Sequence, residues 1–121
     1  MNIEQFRDYC LSKKGVTENF PFDEVTLVFK VLNKMFALTS TSSPIFRVNL
    51  KCDPEKAIQL REDFENSIQP GFHMSKKHWN TVEPNLDFDD SFFIDLVNHS
   101  YDLIVKGMTK KDRALLNNIA V

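Results

Sequence analysis

Two alternating segments separated by two residues constrain the fold most strongly. In residues 25–31 large apolar side chains recur at every second position, and β-branched and aromatic residues dominate, which predicts a β-strand. Leu32 and Asn33 then suit a two-residue turn because Asn tolerates a left-handed backbone, and residues 34–39 predict a second strand. The two strands form a hairpin, so the fold contains an antiparallel sheet.

Helix-start signals occur at four places, each a capping side chain followed by apolar residues at helical spacing. The strongest is Asp53-Pro54-Glu55, because Asp caps free amides and Pro suits the first helical position. Asn2 with Gln5, and Thr109 with Asp112, have the spacing of capping boxes. The predicted helices cover residues 2–13, residues 53–68, residues 89 or 90 to about 106, and a short segment after residue 109.

Further strands are predicted at residues 45–51, 72–74 and 78–83, the last two joined by a turn through residues 75–77 as a second hairpin. In the first of these, Arg47 and Asn49 lie opposite Phe46, Val48 and Leu50, the alternation of a half-solvated sheet. The predicted fold is therefore α+β, an antiparallel sheet with helices packed on one face.

The chain has the size of one domain, residues 1–121, and its 42% hydrophobic content with eleven phenylalanines suffices for one core. No apolar run approaches the roughly 20 residues that span a bilayer, and the N-terminal residues are too polar for a secretory signal. Cys10 and Cys52 are too isolated for a disulfide framework. We therefore expect a cytoplasmic protein with free thiols and no membrane partner. Cys10 is expected to be a small, buried hydrophobic residue.

Charge is distributed unevenly along the chain. Residues 26–52 carry four cations and no acid, and residues 71–82 add two lysines, whereas residues 83–102 carry six acids and no Lys or Arg. A basic face is thus possible despite the net charge of −2. The alternative is that these charges are scattered, solvated side chains.

Residues 70–82 hold two of the three histidines, the only tryptophan and two adjacent lysines, without an acid. Lysines at a hairpin tip can approach phosphates, and the rings of His78 and Trp79 can stack or enter a groove. The alternative is that these residues serve the fold. Trp79 would then be a core residue, His73 would hydrogen-bond a backbone carbonyl, and Lys76 and Lys77 would belong to a solvent-exposed turn.

Catalytic and cofactor sites are not indicated. The three glycines, at positions 15, 71 and 107, form no phosphate-binding loop, which argues against a nucleotide cofactor. His73 and His78 have no Cys or acid within their segment to complete a zinc site, and the acids of residues 87–90 suit helix capping better than calcium. We expect a protein that is not an enzyme, without a metal or other cofactor.

Several motifs in consecutive order resemble the MmcQ/YjbR family of small bacterial proteins, and together they span nearly the whole chain. They are Phe20-Pro21-Phe22-Asp23, Phe29-Lys30-Val31, Lys34-Met35-Phe36-Ala37-Leu38, Val48-Asn49-Leu50-Lys51-Cys52-Asp53-Pro54, Pro70-Gly71-Phe72-His73-Met74, Lys76-Lys77-His78-Trp79-Asn80-Thr81-Val82 and Ser100-Tyr101-Asp102-Leu103.

The resemblance implies a fold similar to that of CyaY and frataxin and a DNA-binding function, with two hairpins as wing-like contacts. Within the family motifs, the residues that the resemblance suggests for contact with nucleic acid are Lys51, Lys76, Lys77, His78, Trp79 and Asn80. Charge alone adds Lys30, Lys34 and Arg47. We expect a monomer that contacts DNA phosphates largely independently of sequence. A frataxin-like fold would suggest iron binding on an acidic helix. We do not expect it here, because basic residues on the first helix offset the negative charge of Glu4 and Asp8.

A competing hypothesis is a protein-interaction or small-ligand module in which His73, Lys51, Lys77 and Trp79 line a pocket. A third hypothesis is that the motif residues serve only to stabilise the fold.

Overall fold

The computed structural model describes residues 1–119, which form an α+β fold of one six-stranded antiparallel sheet and four helices. The strands lie in the order β1-β2-β3-β4-β6-β5. In chain order the elements are α1 (Ile3–Ser12), β1 (Val16–Asn19), β2 (Thr26–Val31), β3 (Lys34–Ser40), β4 (Val48–Lys51), α2 (Pro54–Asp63), β5 (Ile68–Pro70), β6 (Trp79–Val82), α3 (Asp90–Lys106) and α4 (Lys110–Asn117).

The hairpin predicted around Leu32 and Asn33 is confirmed. Both residues have left-handed backbones, with φ of 46° and 69°, as a two-residue turn that follows the twist of the strands requires. β2 pairs with β3 from Thr26 opposite Ser40 to Val31 opposite Lys34, with one irregularity after Phe29. The turn chemistry therefore sets the register of the central strands.

Side chains alternate between the two faces of the sheet, and all four helices cover the same face. In β4, Val48 and Leu50 are buried under the helices, whereas Asn49 and Lys51 lie on the opposite side. Four fully buried phenylalanines form the centre of the helix-side core: Phe6, Phe29, Phe36 and Phe93. The ring of Phe6 lies 5.5 Å from that of Phe29, in an edge-to-face arrangement that favours aromatic packing. The predicted sheet with helices on one face is thus confirmed.

Helix starts follow the capping signals. Asn2 and Gln5 form the complete capping box of α1, and the Asp89 carboxylate accepts from the Phe92 amide at 2.9 Å to cap α3. Thr109 accepts from the Asp112 amide to cap α4, and only this half of the predicted box is formed. Among residues 1–119, no helix has both the length and the apolarity needed to cross a membrane.

Two predicted boundaries were wrong around the second hairpin. Helix α2 ends at Asp63 and not at residue 68, because Ile68 begins β5 and pairs with Val82. Residues 72–74 form a turn and no strand, because β5 supplies the partner of β6 and residues 71–78 only connect them. The spacing of Phe64 and Ile68 matched a helix although Ile68 belongs to the sheet.

Strand β1 was not predicted, and β4 begins at Val48 and not at residue 45. β1 is a four-residue edge strand, and its single partner among residues 1–119 is β2. Such a short polar segment has little alternation of its own, so its conformation depends on the strand beside it.

Candidate binding surface on the open sheet face

The sheet face that no helix covers carries three cross-strand rows of side chains, and we call it the open face. The row nearest the β2–β3 turn contains Lys30 opposite Met35, and Lys51 opposite Trp79. The middle row runs across Val28, Leu38, Asn49, Thr81 and Gln69. The third row contains Thr26 opposite Ser40, with Arg47 just before β4.

Five lysines gather at one end of this sheet, although they come from well-separated segments. Lys30 and Lys51 lie in the first row, and Lys34 follows the β2–β3 turn. Trp79 pairs with Lys51, so the connection before Trp79 reaches the same end. We call this set the lysine end; its members are Lys30, Lys34, Lys51, Lys76 and Lys77.

Acidic side chains lie at the opposite end. Glu83 follows the far end of β6, and Asp90 begins α3, where its carboxylate lies 2.9 Å from the Met1 amino group. The three ion pairs within residues 1–119 are Met1 with Asp90, Arg7 with Glu18, and Arg47 with Glu83. None of them uses a lysine of the lysine end. Acids are present at that end as well, because Asp53 follows β4 and donates its N–H to His99, which also lies near Asp102.

The connection of residues 71–78 is fixed by hydrogen bonds to the sheet. The Asn49 amide donates to the Phe72 carbonyl at 3.0 Å, and the Phe72 N–H donates to the Thr81 hydroxyl at 2.9 Å. The Lys76 ammonium donates to the Gly71 carbonyl at 2.6 Å. Lys76 therefore serves the connection itself, whereas Lys77 and His78 are exposed.

Two of the residues predicted to meet nucleic acid are buried. Trp79 is 9% exposed and packs with Val28 and Leu38 in a small apolar cluster on the open face. Asn80 is 2% exposed and faces the helices, where its amide donates to the Ala57 carbonyl at 3.3 Å. The prediction placed Asn80 on the surface, but its register opposite Leu50 turns it into the core.

Arg47 and His73 lie apart from the lysine end, beside a groove on the open face. The groove has a volume of about 790 Å³, and its lining includes Phe22, Leu38, Ile45, Arg47, Phe72 and His73. Of the four residues that the sequence suggested for a pocket, only His73 lines this groove, whereas Lys51 and Trp79 are paired across β4 and β6. Sequence reasoning missed Phe22 and Phe72 as lining residues, since nothing local shows that their segments meet.

Titratable groups outside this face are shifted mainly by burial. Desolvation raises the pKa of the Cys10 thiol, and raises that of Cys52 to about 11, so both stay protonated at neutral pH. Burial also lowers the pKa of His99. Within residues 1–119 no three His, Cys, Asp or Glu side chains are grouped closely enough to hold a metal ion.

Comparison with known proteins agrees with the family resemblance. A family model described as YjbR matches residues 11–103. Uncharacterized protein YbdF of Escherichia coli O157:H7 is 39% identical over 94 residues, which are 78% of this chain and 76% of that protein. Uncharacterized protein YjbR of Escherichia coli K12 is 31% identical over 116 residues, which are 96% of this chain and 98% of that protein.

Two solved structures are similar over most of the chain. The crystal structure of Deinococcus radiodurans protein DR2400, family-model domain DUF419, has a TM-score of 0.89 at 40% identity and covers 96% of this chain and 88% of that one. A Pseudomonas syringae protein has a TM-score of 0.73 at 27% identity, with 85% and 98% covered. The sequence motifs, the family match and the shared architecture together identify the chain as a member of the YjbR family.

Proposed function

We propose that this protein is a non-enzymatic DNA-binding protein of the cytoplasm that acts as a monomer. It contacts phosphates through the lysine end, largely without reading sequence. The observation that supports this proposal is the convergence of Lys30, Lys34, Lys51 and Lys77 at one end of the sheet. A duplex is a uniform line of negative charge, so a local concentration of cations matters more than the net charge of −2.

The two hairpin tips give this contact its shape. Lys34 lies at the tip between β2 and β3, and Lys77 lies in the connection between β5 and β6 at the same end of the sheet. Two tips with Lys51 of β4 between them fit the wing-like contacts that the family resemblance implies. His78 is exposed beside Lys77 and joins this surface, whereas the burial of Trp79 and Asn80 leaves them to support it.

A structural relationship to CyaY and frataxin is part of the proposal. The support is the architecture that the resemblance implies. In this protein an antiparallel sheet is covered by helices on one face, and α1 packs in the same core as the other helices. Superposition of the six strands and of α1 and α3 on those proteins tests it, and a different strand order there would reject the relationship.

Salt-dependent binding to a duplex tests the function. Fluorescence anisotropy of a labelled duplex of arbitrary sequence gives the affinity between about 50 and 200 mM salt, where counterion release produces a linear decrease on logarithmic axes. The Lys34→Gln/Lys77→Gln variant should reduce the slope by about 2 units, because each lost phosphate contact removes about 0.9.

The matched control is Lys110→Gln/Lys111→Gln, which removes two exposed lysines from α4, a helix whose Leu116 packs in the helix-side core. Its slope should equal that of the wild type. A flat wild-type slope, or equal losses in both double variants, would reject the lysine end as a DNA-binding surface.

A further inference from the structure

The groove beside Arg47 is a second feature of the open face, distinct from the lysine end. It lies over Leu38, Asn49 and Thr81 and is bounded by segments near residues 22–26, 40–47 and 69–74. No member of the lysine end lines it. Its volume of about 790 Å³ falls within the roughly 300–1,000 Å³ typical of small-molecule sites.

Both sides of the groove are preformed. On one side, Asn49 and Thr81 hold the backbone of Phe72, whose ring lies 4.1 Å from that of His73. His73 itself has a left-handed backbone with φ of 61°, which is uncommon for a residue other than glycine.

On the other side, the Asp23 carboxylate accepts from the Val25 and Thr26 amides at 2.9 and 2.6 Å, and from the Thr26 hydroxyl at 3.0 Å. These bonds lower the pKa of Asp23, so it stays ionised while its oxygens are engaged within its own segment. A ligand entering a groove with fixed sides loses little free energy to ordering the protein.

Large apolar side chains are exposed at the rim. Phe22 is 63% exposed, Phe72 is 66% exposed and Ile45 is 42% exposed. All three line the groove, so their exposed surface belongs to one concavity and is not scattered over the protein. The apolar part of a ligand would cover them.

Arg47 supplies a cation with unused donors. Its Nε contacts one Glu83 oxygen at 3.3 Å, and its side chain is 50% exposed. Within residues 1–119 its two terminal amino groups have no hydrogen-bond partner. A planar guanidinium with free terminal amino groups suits a carboxylate, which can accept two parallel hydrogen bonds.

We propose that the groove binds a small amphipathic carboxylate, whose carboxyl group contacts Arg47 and whose aromatic or branched apolar body covers Phe22, Ile45 and Phe72. The site does not depend on DNA binding, because its residues are not those of the lysine end. Glu83 fixes the orientation of Arg47, and the carboxylate approaches the free amino groups.

The test uses 4-phenylbutyrate as the probe, with 4-phenylbutanamide as its neutral analogue and acetate as the carboxylate without the apolar body. Titration followed by amide chemical shifts in NMR should show saturable changes at Phe22, Phe72 and His73, with a dissociation constant on the order of 1 mM. The neutral amide should bind about tenfold more weakly, because it lacks a charge-assisted hydrogen bond. Acetate should cause no saturable change at these residues.

Two variants separate the site from general attraction of anions. Arg47→Gln should bind the acid and the amide equally weakly, whereas Lys77→Gln should retain wild-type affinity for the acid. The proposal is overturned if the acid gives no saturable change at about 20 mM, some twentyfold above the expected dissociation constant. It is also overturned if acid and amide bind wild type equally, or if the changes centre on the lysine end.

Discussion

The side chains of Asn49 and Thr81 lie directly opposite each other on β4 and β6, and the Thr81 hydroxyl donates to the Asn49 amide oxygen at 2.6 Å. The same two side chains also hold the N–H and the carbonyl of Phe72. Two hydrogen bonds thus join the centre of the sheet to the first residues of the connection between β5 and β6, and a third joins the two side chains that make them. This pair links the shape of the groove to the position of the tip that carries Lys77.

Thr81→Val should therefore loosen residues 71–74 and destabilise the protein by about 1–2 kcal/mol, since the isosteric change removes two hydrogen bonds and leaves the Phe72 N–H without its partner. Hydrogen exchange should become faster at Phe72, and urea denaturation measures the stability.

Thr17→Val is the matched control, because Thr17 is an exposed threonine on the open side of β1. It should change stability by less than about 0.5 kcal/mol. Equal exchange rates at Phe72 in Thr81→Val and in wild type would show that the connection does not depend on this pair.

Gly71→Ala should destabilise the protein by about 1–3 kcal/mol, the usual cost of overpacking. A methyl group at this position would lie 2.8 Å from the Trp79 carbonyl oxygen and 2.7 Å from the Trp79 Cβ, and neither atom can move without disturbing the β5–β6 pairing. Thermal or urea denaturation measures the loss.

The comparison is Gly107→Ala. An added Cβ there would meet atoms no closer than 3.5 Å, and the residue already has a helical backbone with φ of −80°. This variant should be neutral or more stable by up to about 1 kcal/mol, because alanine restricts the unfolded chain. A Gly71→Ala variant as stable as Gly107→Ala would contradict the close approach of Trp79 to Gly71.

The parts of this fold that follow from local chemistry could be predicted from the sequence. The turn at Leu32 and Asn33, the capping box of Asn2 and Gln5, and the outward positions of Arg47 and Asn49 each depend on a few neighbouring residues. The parts that were missed depend on residues distant in sequence. Ile68 has the spacing of a helix residue, and only its pairing with Val82 makes it part of a strand.

The candidate surfaces divide in the same way. The absence of acids between residues 26 and 52 predicted a basic side, and the register then placed Lys30 and Lys51 in one row. The inward position of Asn80 could not be predicted, because it depends on the register of β6 against β4, which is set by residues distant in sequence. The groove could not be predicted from the sequence either, since it forms only where the segments of Phe22, Arg47 and Phe72 meet.

Stability should decrease as the pH falls below about 6.5, the ordinary pKa of histidine, in part because of His99. Burial lowers the pKa of His99, and its Nε2 accepts a hydrogen bond from the Asp53 N–H at 3.2 Å, which requires an unprotonated Nε2. The unfolded chain therefore binds a proton at a higher pH than the folded protein does, and the stabilisation that is full above the unfolded pKa is lost on acidification.

Urea midpoints between about pH 5 and 7.5 measure this dependence. His99→Gln should be less stable at neutral pH and should show a shallower decrease below it. His78→Gln is the control, because His78 is exposed on the connection of residues 71–78, and its profile should match that of the wild type. A wild-type profile that does not change over this range, or an equal slope in His99→Gln, would exclude the contribution of His99.

Trp79→Ala should cost about 3–5 kcal/mol, as truncation of a core aromatic does, although Trp79 belongs to the stretch that the sequence marks most strongly for binding. Its ring packs with Val28 and Leu38, and Met35 and Met74 pack against the same cluster. Phe72→Ala, which removes an aromatic ring that is 66% exposed, should cost less than about 1 kcal/mol. Urea denaturation of the two variants separates a residue that supports the open face from one that lines it. Similar losses in both would mean that the small apolar cluster does not hold β6 to the centre of the sheet.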